Sequence, residues 1–235
     1  MSAIPKIDRI NIGCGYDHRP GYLNVDMDPA CKPDLLLKDN DYSGIAKRHY
    51  SELAAMDVLE HIHRAQTMAT LLEWADLLKI GGHMTVETSS ILGVARLLAS
   101  GRKFADHYSC TIFLFGNQVH AGDFHLTGFT EATLRTYIVS AGFEISSFIE
   151  RDNWIFLTQS MRNLDWTETL DTHRKSTNEV FLEAAYRAAL NRLPEEPFRF
   201  MHLRDLAYGL SRRALLKTLF SSIERNYHVA SEIGF

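Results

Sequence analysis

The sequence predicts an α/β protein: a largely parallel sheet covered by helices, closed by an antiparallel pair, with a small helical tail. Three observations carry that expectation. Short apolar runs come early and flank a segment of helical period. A polar turn divides two further runs near residue 152, and beyond Thr177 only helical patterns remain.

The runs Lys6–Ile12, Tyr22–Asp26, Asp34–Leu37, Leu53–Met56 and His83–Thr88 read as strands. Between the last two, Met68, Leu71, Leu72, Ala75 and Leu78 recur at steps of three and four, which predicts a helix over 64–78. It stops at Lys79-Ile80-Gly81-Gly82, where a cation closes the last turn and glycine accepts positive φ. Thr130 is placed to cap a helix over Glu131–Ser140 that Gly142 ends. Phe143–Ile149 and Trp154–Thr158 then form two strands joined through Arg151-Asp152-Asn153.

These elements assign residues 1–160 to one sheet unit. Residues 161–176 are polar and patternless and read as a linker. Residues 177–235 form a small helical domain, with one helix through Phe181, Ala184, Ala185, Ala188 and Ala189 capped by Thr177 or Asn178. Pro194 and Pro197 break the pattern, and helices over Phe200–Tyr208 and Ser211–Tyr227 follow. A unit that small is marginal alone and is expected to lean on the sheet.

The 235 residues are 46% hydrophobic and 23% charged, which excludes disordered and collagenous classes. Net charge is 25 − 29 = −4, divided as 14 − 19 = −5 through Ser160 and 11 − 10 = +1 beyond it. Neither part carries the cationic excess that draws in a phosphate backbone, so no nucleic-acid partner is expected. The opening MSAIPKIDRINIG is too polar for a signal core, and no run reaches the ~18 apolar residues of a membrane span. Cys14, Cys31 and Cys110 show no C-x-x-C spacing, so they read as buried filler in a cytoplasmic protein.

The chemistry is concentrated after the first strand, at Asn11-Ile12-Gly13-Cys14-Gly15. Glycines at i and i+2 allow a tight turn and close approach of a ligand to the backbone. A dinucleotide would need a crossover helix to hold its pyrophosphate. Only the six residues Tyr16–Gly21 separate Gly15 from the second strand, too few for that helix. Asp26 ends the second strand, 11 residues after Gly15, where a carboxylate can accept from both ribose hydroxyls. Asp39, followed by Asn40, occupies the next loop and can accept from an adenine amino group. The alternative for each is a solvated loop residue.

In Gln118-Val119-His120-Ala121-Gly122-Asp123-Phe124-His125, three side chains can move protons: His120, Asp123 and His125. They read as substrate-facing bases or as ordinary surface groups. A metal site is not expected, because helical i, i+4 spacing and a fourth ligand are both lacking. Glu60 and His61 read as structural, while Tyr16 and His18 can close over a ligand. Ile91–Phe115 mixes Arg102, Lys103, Phe104, His107, Tyr108 and Phe113, and suits either an acceptor wall or a lid.

Four runs in order resemble class I S-adenosylmethionine-dependent methyltransferases, in the subgroup with a short first helix: Ile10–Gly15, Pro20–Asp26, Asp57–Ile62 and Leu77–Gly82. The likeness continues through Gly116-Asn117-Gln118 and Gly128-Phe129-Thr130 to Ala141-Gly142-Phe143. Ile80 departs from the usual Pro, and Asp57 stands where a small or polar residue is common. The resemblance implies a Rossmann-like sheet and S-adenosylmethionine as cofactor. It places Gly13, Cys14 and Gly15 around the methionine moiety, Asp26 on the ribose, Asp39 and Asn40 near adenine, and Asp57 between cofactor and acceptor, with Asn11 also among the cofactor-binding residues. The acceptor it implies is a small molecule or glycan, with O-methylation of a sugar as the reading. The alternatives are a non-catalytic scaffold acting through the tail, or an enzyme of lipids or small metabolites.

In the tail, Phe181-Leu182, Ala185-Tyr186-Arg187, Leu206, Gly209, Ser211-Arg212, Leu215 and Phe220 are similar to phycobilisome-linker-like domains found in glycan contexts. Glu195–Met201 is shorter than in that family and lacks its Gly and Trp. The apolar helix faces of the tail permit a homodimer without requiring one.

Overall fold

A computed structural model of the chain describes residues 7–120 and 122–235. Lys6, the expected start of the first strand, and Ala121 of the histidine loop lie outside the described residues. Seven strands form one sheet: β1 (Arg9–Ile12), β2 (Leu23–Asp26), β3 (Leu35–Leu36), β4 (Tyr50–Met56), β5 (Leu78–Ser89), β6 (Phe143–Arg151) and β7 (Ile155–Arg162). Their order is β3-β2-β1-β4-β5-β7-β6. Only β7 is reversed, pairing antiparallel with β5 and β6, as the predicted hairpin requires. Asp152 and Asn153 take φ of +53° and +66° at its turn, a conformation that short polar side chains tolerate.

The helix α1 (Arg64–Leu77) ends where expected. The glycines after it do not close a free turn, because β5 already pairs through Leu78. They form an excursion between the pairs Tyr50↔Leu78 and Glu52↔His83, with Gly81 at φ +79°. The stretch 91–115 forms two helices, α2 (Ile91–Ser100) and α3 (Phe104–Phe115). Thr130 caps α4 (Glu131–Ser140) by accepting from the Thr133 N–H at 3.3 Å.

Residues facing one side of the sheet are buried: Ile10 and Ile12 of β1, Leu53 and Ala55 of β4, Met84 and Val86 of β5. Helices α1 and α4 cover that side. The opposite face presents Glu52, Thr85, Ser147 and Gln159, none of them fully buried. Parallel sheets are usually covered on both faces. Among the described residues, loops replace the early crossover helices and leave part of this face polar and exposed.

The expected linker is packed structure. β7 runs on to Arg162, which is fully buried with its guanidinium 2.9 Å from Asp165. Trp166 is 1% exposed and its indole N–H donates to the Leu72 carbonyl at 2.9 Å. A short helix α5 (Glu168–Thr172) follows. The tail then holds four helices where three were expected: α6 (Asn178–Leu190), α7 (Phe198–Ala207), α8 (Arg212–Phe220) and α9 (Ile223–Glu232). Ser222 ends the expected third helix by capping α9, accepting from the Arg225 N–H at 3.3 Å. Phe181, Leu182 and Tyr186 of α6 and Leu215, Leu216 and Phe220 of α8 join one core with α1 and the sheet. Arg225 ties the tail to α4, donating to the carbonyls of Ser140 at 3.0 Å and Ala189 at 2.9 Å, which are orphaned at helix ends. No helix among the described residues is long and apolar enough to cross a membrane.

Candidate active site

The carboxyl ends of β1, β2, β4 and β5 meet at one edge, where an α/β sheet offers its ligand crevice. Gly13 and Gly15 take φ of +62° and +48° there. A Cβ on Gly13 would collide with Val58 after β4, so glycine lets the two loops touch. Nothing lies near the place a Cβ would occupy on Gly15, which leaves its backbone open to a ligand. Asp26 at the end of β2 accepts from the Gly15 N–H at 2.7 Å and the Asp28 N–H at 2.8 Å. That pair of bonds fixes a half-buried carboxylate beside the glycine loop, with acceptor capacity left over.

Cys14 is buried, and its N–H donates to the Val25 carbonyl at 3.1 Å. Burial, with Asp26 nearby, pushes its thiol up to about 11, so its contribution to a ligand site is backbone rather than thiolate. Asn11 lies on β1, ahead of the glycine loop. Its side chain is 2% exposed and turned inward, donating to the Asp17 carbonyl at 2.9 Å and to Asn24 Oδ1 at 3.1 Å. Asn24 in turn receives the Arg19 N–H at 2.8 Å and donates to Asp34 at 2.9 Å. This asparagine pair clamps the β1–β2 loop in place of a crossover helix. His18 holds the loop from outside, donating from Nε2 to the Cys31 carbonyl at 2.8 Å, while Tyr16 is 81% exposed.

Asp39 and Asn40 both adopt positive φ after β3, and Asp39 is exposed. Asn40 is half-buried. It lines a hollow of about 470 Å³ with Lys47, Glu73 and Arg213.

Around Asp57 the structure gathers residues that are distant in sequence. The Asp57 N–H donates to the Glu87 carbonyl at 3.0 Å, joining the ends of β4 and β5. Desolvation raises the Asp57 carboxyl, against the opposing pull of His61, His125 and Arg151. Glu87 is 6% exposed and faces Arg151 Nη2 at 2.9 Å. Its carboxyl is also raised, by desolvation first and by Asp57 second. Glu60 is 1% exposed and accepts from the Thr88 hydroxyl at 2.9 Å. Desolvation drives its pKa to about 8, so it is mostly a neutral acid at pH 7.

His125 is half-buried, edge-on to His61 at a ring separation of 4.9 Å. Burial lowers its pKa, and the adjacent His61 adds to that effect. The other two predicted proton carriers serve their own loop. The His120 ring accepts from the Gly122 N–H at 3.2 Å, and Asp123 accepts from the Val119 N–H at 3.3 Å. Phe113 stacks on Trp154 at 3.8 Å between ring centres and walls the site on the hairpin side. Among the described residues no group of His, Cys, Asp and Glu is placed to hold a metal ion.

Glu87, Arg151 and Trp154 were not singled out from the sequence. One signal was present: Glu87-Thr88-Ser89-Ser90 is a polar run directly after the apolar alternation of Met84 and Val86 at the carboxyl end of a strand. No comparable signal marks Arg151.

No protein-family model and no curated protein matches the sequence. Solved structures do. A S-adenosylmethionine-dependent methyltransferase from Methanosarcina mazei superposes with a TM-score of 0.50 at 15% identity, over 68% of this chain and 95% of that one. With the strand order and the reversed β7, that match decides the architecture. The chain has the class I methyltransferase fold. A methyltransferase from Mesorhizobium loti gives 0.48 at 16% identity, over 68% and 94%. A putative methyltransferase of Haloferax volcanii, solved with its Trm112 activator, gives 0.46 at 16% identity, over 68% and 84%. Within this methyltransferase fold, the glycine loop and Asp26 stand at the first two strand ends, and the Asp57–Glu87–His125 cluster stands beyond them.

Proposed function

We propose that the protein is an S-adenosylmethionine-dependent methyltransferase that modifies a hydroxyl of a sugar or glycan-related acceptor. The observation that carries this reading is the juxtaposition of Gly13, Gly15 and Asp26 with no helix between β1 and β2. The loop offers close backbone approach and a carboxylate for a ribose, and it offers no helix N-terminus for a pyrophosphate. A nucleoside without phosphates fits that donor set. When bound, the cofactor supplies an electrophilic methyl on a sulfonium, a cation that the nearby carboxyl groups of Asp26, Asp57 and Glu87 favour.

In this reading the chain aligns its substrates and moves one proton. Asp26 accepts from the ribose hydroxyls, and Gly13, Cys14 and Gly15 present backbone to the methionine part. His125 takes the proton of the acceptor hydroxyl. Glu87 and Arg151 orient the remaining hydroxyls, and Phe113 with Trp154 walls the acceptor ring. Residues 1–160 carry this chemistry and residues 177–235 buttress α1 and α4.

Isothermal titration of the full chain with S-adenosylhomocysteine tests the cofactor. A folded protein that gives no binding heat overturns the reading. Incubation with methyl-labelled cofactor and fractionated lysate tests the acceptor, and label in a lipid or protein fraction instead of a carbohydrate fraction replaces the sugar.

A further inference from the structure

We infer that the α2–α3 hairpin is a docking element for an anionic lipid surface. The inference rests on the exposed side chains of this hairpin and stands independently of the proposed activity.

Each helix of the hairpin buries little: α2 only Gly93 and Val94, α3 only Cys110. Leu92 and Leu98 on α2 are 53% and 38% exposed. On α3, Phe104, Tyr108 and Phe115 are 83%, 57% and 55% exposed. Phe104 and Tyr108, one helical turn apart, stack on each other at 5.7 Å and still face solvent. Phe104, Tyr108 and Phe115, at i, i+4 and i+11, share one face of α3, and such a row of exposed rings marks a surface that meets something.

Charge indicates what it meets. Residues 91–119 hold Arg96, Arg102 and Lys103 against Asp106 alone, a local +2 on a chain of −4. Arg96 is occupied by Glu150 at 2.6 Å. Asp106 is committed to the start of α3, accepting the N–H groups of Arg102 and Lys103 at 3.2 and 3.1 Å. Neither Arg102 nor Lys103 forms an ion pair among the described residues. Two cations at a bend, followed at once by exposed aromatic rings, match an interface of anionic headgroups above acyl chains. A second copy is the poorer partner, because two-fold pairing through this patch would set like charges against each other.

Flotation of the full chain with vesicles tests the inference, comparing an equimolar phosphatidylglycerol–phosphatidylcholine mixture with phosphatidylcholine alone. The protein should float with the anionic vesicles, and added salt should release it. The double variant Arg102→Glu/Lys103→Glu should lower the vesicle-bound fraction by on the order of tenfold or more. Phe104→Ser/Tyr108→Ser should lower it on a similar scale, and because all four side chains are exposed both variants should keep the native circular dichroism spectrum. Absence of flotation at low salt overturns the inference, as does binding that neither variant weakens. A concentration-dependent dimer that the aromatic variant dissociates, without vesicle binding, assigns the surface to a second copy instead.

Discussion

His125 Nδ1 lies 3.1 Å from the carbonyl oxygen of Phe113. A carbonyl can only accept, so Nδ1 carries the hydrogen and the lone pair of the neutral ring belongs to Nε2. Burial, reinforced by His61, lowers the pKa and keeps the ring neutral near pH 7. Tautomer and protonation state both suit a general base.

His125→Ala should therefore leave cofactor binding unchanged and cut turnover by about 10²–10⁴. Because the pKa lies below the ordinary 6.5, the acid limb of kcat/KM against pH should fall below pH 6.5 in the native enzyme. Unchanged turnover in the variant, or an acid limb above that value, removes His125 from this role.

Gly13→Val should abolish S-adenosylhomocysteine binding, since the new side chain would have to displace Val58 and also tolerate φ of +62°. Asp26→Ala should do the same by removing the ribose acceptor and releasing the Gly15 N–H. Calorimetric titration of each folded variant checks both; wild-type affinity in either would move the cofactor elsewhere.

Glu87→Gln and Arg151→Met should separate acceptor from cofactor. Each removes a charged hydrogen-bonding group worth roughly 10- to 150-fold, so KM for the acceptor should rise on that scale. Cofactor affinity should stay within a small factor of wild type. Equal losses in both would place the pair in the cofactor site.

Half-buried Glu73 and buried Glu60 should give stability opposite slopes in different pH windows. Desolvation would raise Glu73, but hydrogen bonds from Lys217 and Lys47 prevail and pull it down to about 2. Its folded pKa is below its unfolded value, so its stabilisation is complete above pH 4.5 and is lost as pH falls toward 2. Glu60 behaves in reverse. Its folded pKa of about 8 exceeds 4.5, so the fold weakens as pH rises from 4.5 through 8. Urea unfolding across pH should show Glu73→Gln flattening the acid slope and Glu60→Gln flattening the neutral one.

Trp166→Ala should cost about 3–5 kcal/mol, the usual range for a buried aromatic. The indole fills the contact between α1 and the tail and bonds to Leu72. A loss below about 1 kcal/mol in urea denaturation would mean that the tail is held by other contacts.

What was legible in the sequence is what local chemistry determines. Thr130 and Thr177 mark helix starts because a hydroxyl must meet an N–H three residues away. The alternation of strands with α1 follows from side-chain period, and Gly13 and Gly15 mark a turn that needs positive φ. The missing first helix was a matter of counting residues. Such features need no knowledge of the rest of the chain.

The remainder required the sheet. Asn11 stands on β1 just before the glycine loop, and its amide bonds to Asn24 because β2 lies beside β1. Arg151 reaches Glu87 across 64 residues because the reversed β7 returns the hairpin to the edge of β5. Residues 161–176 lack any period and still pack, because Arg162 and Trp166 find partners on β5 and α1. Sequence by itself determined the elements and the glycine loop. Tertiary structure decided which charges share a site, since hydrogen-bond periodicity acts over a few residues and strand order acts over the whole chain.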